Sequence, residues 1–204
     1  MASTVTFYFS VLSPWVYLGG PRFHAIVRAT GAKVVYRPID LKRVFRETGG
    51  TLLAGLHPSR QALRARERER WAAWLGMPIS AKPAHHPVDE SLAAQLLLTV
   101  QRAHGDVAMW SLAEALLAGV WVHDRDISDR ETLAAMLRQQ GFDDAQLLET
   151  AETPQARLEF EQSTDEALAA GVFGVPSFVI DGDLHFGQDR LDFVERALRS
   201  ATGS

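Results

Sequence analysis

Strand-forming sequence is confined to the two ends of this chain, and that distribution limits the folds open to it. TVTFYF (4–9) and KVVYRPID (33–40) are β-branched and aromatic runs of strand length. The next such runs, VPSFVI (175–180) and LHF (184–186), come only beyond residue 172. PWVYLGGPRFHAIVRAT separates the first two and reads as a helix, which lets the strands it joins lie parallel. Asp181-Gly182, between the last two, is the strongest short signal for a tight hairpin.

Ser13 reads as the N-cap of the first helix, with Pro14 at the first helical position, where a missing N–H is harmless. Trp15, Leu18, Phe23, Ile26 and Val27 supply one apolar face, and Gly19-Gly20-Pro21 predict a kink in the middle. From residue 42 to 172 the periodicity is helical. SRQALRARERERWAAWLG is one helix closed by Gly76 and Pro78. SLAAQLLLTVQRAHG and VAMWSLAEALLAGVWVH are two more, expected to pack on each other. Ser128 and Glu131 form a capping box for ETLAAMLRQQG, Thr153-Pro154 opens another helix, and Asp189 caps the last one, RLDFVERALRS. The order β-α-β, helices, β-β-α is that of an α/β thioredoxin-like domain with a large all-helical insertion. The expected division is residues 1–42 and 173–204 for the discontinuous thioredoxin-like part and 43–172 for the insertion.

Composition narrows the chemistry. The 204 residues include no cysteine, so disulfides, thiolate metal sites and dithiol redox chemistry by the chain itself are excluded. A net charge of −4 without long one-signed blocks gives no reason to expect nucleic acid or an anionic membrane as partner. The start, MASTVTFYF, lacks a basic region, so no signal peptide is expected, and the longest apolar run, near LLAGVWV, is too short for a bilayer. A cytoplasmic location is expected. His85-His86 resembles half a metal site, but no carboxylate follows at ligand spacing, so no metal is expected. RARERERW (64–71) alternates in sign; it reads as a solvated helix face with i,i+4 pairs, or its basic members draw an acidic substrate to a site mouth. The tryptophans Trp71, Trp74, Trp110 and Trp121 read as core or interface.

FYFSVLSPWVYL, RPIDLKRVF, RWAAWLGMPI, KPAHHPVD, VFGVPSFVI and HFGQDRL occur in that order over most of the chain. Together they resemble the 2-hydroxychromene-2-carboxylate isomerase family, within the group of kappa-class glutathione transferases and DsbA-like thioredoxin-fold proteins. The resemblance implies glutathione as cofactor, an aromatic-derived small-molecule substrate and a homodimer. It implies that Ser13, standing where the disulfide oxidoreductases carry their first cysteine, contacts the sulfur of glutathione. Val175, before a cis Pro176, would pair with the cysteinyl part of the tripeptide, and Phe186, Gly187, Gln188 and Asp189 would hold its γ-glutamyl end. Arg60 falls near a lysine that helps hold glutathione in kappa enzymes.

Substrate residues carry over less directly. Phe45 stands where the naphthalene-pathway isomerase has a lysine for the substrate carboxylate, and the loop PAHHP brings His85 and His86 to a substrate-facing stretch. Thr48-Gly49-Gly50 lacks the asparagine that follows TG in kappa enzymes. The implied activity is glutathione-dependent cis–trans isomerisation in aromatic degradation. A kappa-type transferase or peroxidase, and a cysteine-less DsbA-like binding module, are the competing readings. Ser13-Pro14 alone is an ordinary helix cap, and a serine-hydrolase reading fails because no G-x-S-x-G elbow exists.

Overall fold

A computed structural model describes residues 3–201. Four strands form one sheet: β1 (Thr4–Phe9), β2 (Lys33–Pro38), β3 (Ser177–Ile180) and β4 (Asp183–Phe186). Their spatial order is β2-β1-β3-β4, with β1 parallel to β2 and antiparallel to β3, and β3 antiparallel to β4. Tyr8 pairs with Ser177, so β1 and β3 are in register up to the edge where both the Ser13 corner and the Val175-Pro176 loop emerge. The hairpin turn has φ of 49° at Asp181 and 83° at Gly182, the left-handed pair a two-residue turn requires. A mixed sheet, β-α-β opening and terminal hairpin with helix match the expected architecture.

Central strand β1 is covered on both sides: Val5, Phe7, Tyr8 and Phe9 are all buried. Phe7 makes the hub of the core, its ring centroid 4.9 Å from Phe178, 4.8 Å from Phe23 and 5.5 Å from Trp110. Trp110 belongs to the helical segment, so the sheet and that segment share one hydrophobic core.

α1 (Pro14–Thr30) runs through Pro21 as one element, and its glycines allow close packing. A Cβ on Gly19 would lie 2.6 Å from the Gln188 Cβ, and one on Gly20 would lie 3.3 Å from Trp110. The buried face is Val16, Leu18, Gly19, Gly20 and Phe23, whereas Trp15 is half-buried outside it.

α2 (Leu41–Thr48) and α3 (Pro58–Leu75) follow, then α4 (Ser91–Trp121). The two apolar helices expected between 91 and 123 meet directly at Gly105, whose φ of 85° and ψ of 177° interrupt the helix with no loop. α5 (Arg130–Gln139), α6 (Asp144–Ala151) and α7 (Pro154–Ala169) complete the segment, and α8 (Leu191–Ala201) closes the chain.

Two caps differ from expectation. Asp129, not Ser128, is the N-cap of α5: its carboxylate accepts from Thr132 N at 2.9 Å, while Ser128 N donates instead to Asp126. Asp189 lies inside a short 3-10 turn, Gln188–Arg190, that precedes α8, because Arg190 N already bonds back to Gly187 O at 3.2 Å.

Candidate active site

Ser13 closes the turn between β1 and α1 and is 5% exposed. Its N–H donates to Ser10 O at 3.1 Å and its Oγ accepts from Val16 N at 3.3 Å. Capping uses only a lone pair, so the hydroxyl hydrogen is left to donate elsewhere. Pro14 has no N–H, Tyr17 N bonds Ser13 O at 3.1 Å, and among the described residues nothing accepts from Trp15 N. No acidic residue lies in the first turn. The corner therefore presents one hydroxyl, one backbone donor and the positive end of a helix of 17 residues.

A buried acid lies beneath this turn. Glu90, the N-cap residue of α4, makes no cap bond with its side chain and is 8% exposed. Ser10 Oγ stands 2.7 Å and 2.8 Å from its two carboxyl oxygens and accepts from Leu12 N at 3.2 Å. Burial pushes the Glu90 carboxyl up to about 7, against the hydrogen bonds from Ser10, Leu12 and Val11 that favour its anion; the Asp40 charge adds to the rise. Nothing in the sequence marked Glu90, because an acid before a helix is ordinary.

The two histidines of the PAHHP loop part company. His86 turns inward: its Nε2 donates to Leu12 O at 3.1 Å and its ring lies 4.7 Å from Trp121. A carbonyl partner fixes the hydrogen on Nε2, and burial holds the imidazole pKa below its ordinary value, so His86 is neutral at neutral pH. His85 is exposed and faces Asp126 at 3.5 Å. Arg68 of α3 lies over the Trp121 ring, 5.2 Å from its centroid, and donates through Nη2 to Ala81 O.

Val175 and Pro176 are buried beside the corner, joined by a cis peptide bond. Gly187 N donates to Pro176 O at 2.9 Å, which ties the 186–189 turn to that loop. Phe186 is exposed, its ring tilted against that of Phe173 with centroids 4.6 Å apart, and Gly174 is closed against its ring. Asp189 is exposed, and among the described residues its ion-pair contact is a long one of 3.9 Å to Arg190. Gln188, by contrast, is buried and occupied: Arg22 Nη1 donates to both its backbone O and its Oε1 at 3.2 Å. Arg22 also lies over Trp71 and Trp74, a positioning role not evident from the sequence.

Arg60 is exposed in the first turn of α3. Phe45 is half-buried on α2, with Gly50 pressed against its ring, and shares no ring contact or hydrogen bond with the Ser13 cluster among the described residues. Thus Ser13, Val175, Pro176 and the 186–189 turn gather at one edge of the sheet, and His86 joins them from the helical segment. His85 and Phe45 do not share those contacts.

A profile of the DSBA-like thioredoxin domain matches residues 4–199. The 2-hydroxychromene-2-carboxylate isomerase of Sphingobium xenophagum is 29% identical over 200 residues, covering 97% of this chain and 99% of that protein. Glutathione S-transferase kappa 1 of Homo sapiens is 26% identical, covering 96% and 90%. Among solved structures, a 2-hydroxychromene-2-carboxylate isomerase superposes with a TM-score of 0.81 at 25% identity, covering 98% of this chain and 96% of that one.

Proposed function

The chain belongs to the DSBA-like thioredoxin family, and we propose that it is a glutathione-dependent cis–trans isomerase acting on 2-hydroxychromene-2-carboxylate or a related unsaturated 2-oxo acid. The observation that carries this reading is the Ser13 corner, a donor-rich helix terminus with no acid and no thiol of its own. The relatives named as isomerases and as a kappa glutathione transferase support it.

Thiolates, not thiols, are the nucleophiles, and a free cysteinyl thiol has a pKa of about 8.5. A helix terminus favours an anion by about 0.3–1 kcal/mol, and a hydrogen bond to a charged group adds about 1.5–3 kcal/mol. Since one pKa unit is about 1.4 kcal/mol, the Ser13 hydroxyl and the first turn lower the thiol pKa by about one to three units. A cysteine at 13 could exchange with oxidised glutathione, taking one half as a mixed disulfide and releasing the other as a thiol, which serine cannot do.

In the proposed reaction the thiolate of bound glutathione adds to the conjugated double bond of the ring-opened substrate. The electron pair moves onto the carbonyl oxygen as an enolate, and the former double bond becomes a rotatable single bond. After rotation the enolate re-forms the double bond and expels the thiolate. No proton or electron is gained or lost, and glutathione is regenerated. Val175 would pair with the tripeptide backbone, and Phe186, Gly187 and Asp189 would line its γ-glutamyl end. Gln188 would shape that turn through Arg22 rather than reach the ligand.

Desalted protein should isomerise the substrate only when glutathione is supplied, with glutathione recovered unchanged; fast turnover without thiol refutes the mechanism. The kappa relative favours one alternative, transfer of glutathione to an electrophile, which mass balance separates because conjugate or disulfide would accumulate. A glutathione-dependent reaction would suit the cytoplasm, where that thiol is kept reduced. Among the described residues no helix is long and apolar enough to cross a membrane. The same reading carries a homodimer, which sedimentation would test.

A further inference from the structure

We propose that Arg64 and Arg68, on successive turns of α3, form the receptor for a substrate carboxylate. The class of that substrate rests on the isomerase reading above; the receptor itself rests on the arrangement of α3.

After α3 the chain doubles back along α1. Tyr17 Oη donates to Pro78 O at 2.8 Å, Arg68 donates to Ala81 O, and His86 donates to Leu12 O at 3.1 Å. The returning segment thus climbs α1 from Tyr17 toward Ser13, and Arg68 meets it midway. Arg64, four residues earlier, stands about 6 Å further along the helix in the same direction. It therefore lies nearer the Leu12–Ser13 end, on the same face as Arg68. Arg60 continues the line by one more turn.

Arg64 and Arg68 are set apart by losing solvent to the surrounding protein without gaining a carboxylate in return. Arg37, Arg43, Arg70, Arg102, Arg130, Arg138 and Arg199 each hold a carboxylate. Arg60 and Arg64 hold none among the described residues. Arg68 gives one bond to a carbonyl, its Nε is buried without an acceptor, and Glu69, whose field reaches it, forms no ion pair with it. Arg64 is exposed, yet surrounding protein removes enough solvent to press its guanidinium below the ordinary range, and the Arg60 charge adds to that. Two guanidinium groups without a carboxylate, one of them close enough for its charge to act on the neutral His86 imidazole, suit a carboxylate ligand.

The probe is cinnamate, an unsaturated aryl carboxylate, with cinnamamide as its uncharged counterpart. Binding is read by quenching of tryptophan fluorescence, and the fold by circular dichroism. Wild-type protein should bind cinnamate more tightly than cinnamamide. Arg64→Gln and Arg68→Gln should each weaken cinnamate binding by about tenfold or more. Arg64→Lys should restore part of the loss, and Arg66→Gln, on the opposite face, should leave affinity unchanged.

Equal cinnamate affinity in wild type and Arg64→Gln overturns the proposal, as does failure of the wild type to prefer cinnamate. Glutathione titrations on the same proteins separate the two readings. Glutathione should bind Arg64→Gln as it binds wild type. A parallel loss of glutathione affinity would assign Arg64 to the tripeptide and overturn the substrate role. Absence of glutathione binding to every protein would refute the isomerase reading while the cinnamate result stood on its own.

Discussion

Replacing Glu90 by glutamine should change how stability depends on pH, and the size follows from where the carboxyl sits. In the folded chain burial raises its pKa from 4.5 to about 7. The native state then holds the proton more tightly than the unfolded chain does. Below about pH 4.5 both states are protonated and the shift contributes nothing. Between that value and about 7 the unfolded chain releases its proton while the native state keeps it, so stability falls as pH rises. Above about 7 both are ionised and the loss is complete. A shift of about 2.5 units at 1.36 kcal/mol each gives about 3 kcal/mol, an order-of-magnitude figure.

Glutamine keeps the shape and a hydrogen-bonding partner for Ser10 but cannot ionise. Urea unfolding of wild type and Glu90→Gln at half-unit steps from pH 4.5 to 8 gives the difference in free energy at each pH. That difference should move in favour of the variant by about 3 kcal/mol across the range, most steeply between pH 5 and 7. Two stability curves that stay parallel would refute the reasoning, because the carboxyl would then have the same acidity folded and unfolded.

Ser13→Ala should lower isomerase turnover by about 10- to 100-fold, the worth of one hydrogen bond to an anion, while glutathione affinity changes little; steady-state kinetics with glutathione titration checks the split. Gly19→Ala places a methyl 2.6 Å from the Gln188 Cβ. It should lower stability by about 1–3 kcal/mol and weaken glutathione binding through the displaced 186–189 turn, read by thermal unfolding and calorimetry. Phe7→Ala removes the ring at the centre of the aromatic core and should lower stability by about 3–5 kcal/mol, measured by urea unfolding.

Features set by local chemistry were legible before the fold was known. Ser13-Pro14 marks the start of α1 because a hydroxyl cap and a proline at the next position satisfy the same first turn. Asp181-Gly182 marks the hairpin because few other pairs accept two positive φ angles. The parallel pairing of β1 with β2 followed from a helix between two parallel-capable runs. What stayed hidden depends on contacts between distant segments. Gly19 and Gly20 read only as the site of a kink, yet the Gln188 Cβ leaves no room for a side chain at 19 and Trp110 packs tightly against 20. His85 and His86 are indistinguishable in sequence; one faces Asp126 and the other Leu12. Glu90 gains its significance only by lying under Ser10, 80 residues earlier. Asp129 displaced Ser128 as cap because Asp126 had already claimed the serine.

The acidity of the glutathione thiol when bound to this protein tests the central claim most directly. Titrating the thiolate absorbance of the complex, in wild type and in Ser13→Ala, should place the wild-type thiol at least about one unit below its free value of about 8.5, with much of that shift lost in the variant. A bound thiol that titrates where the free one does would contradict the account.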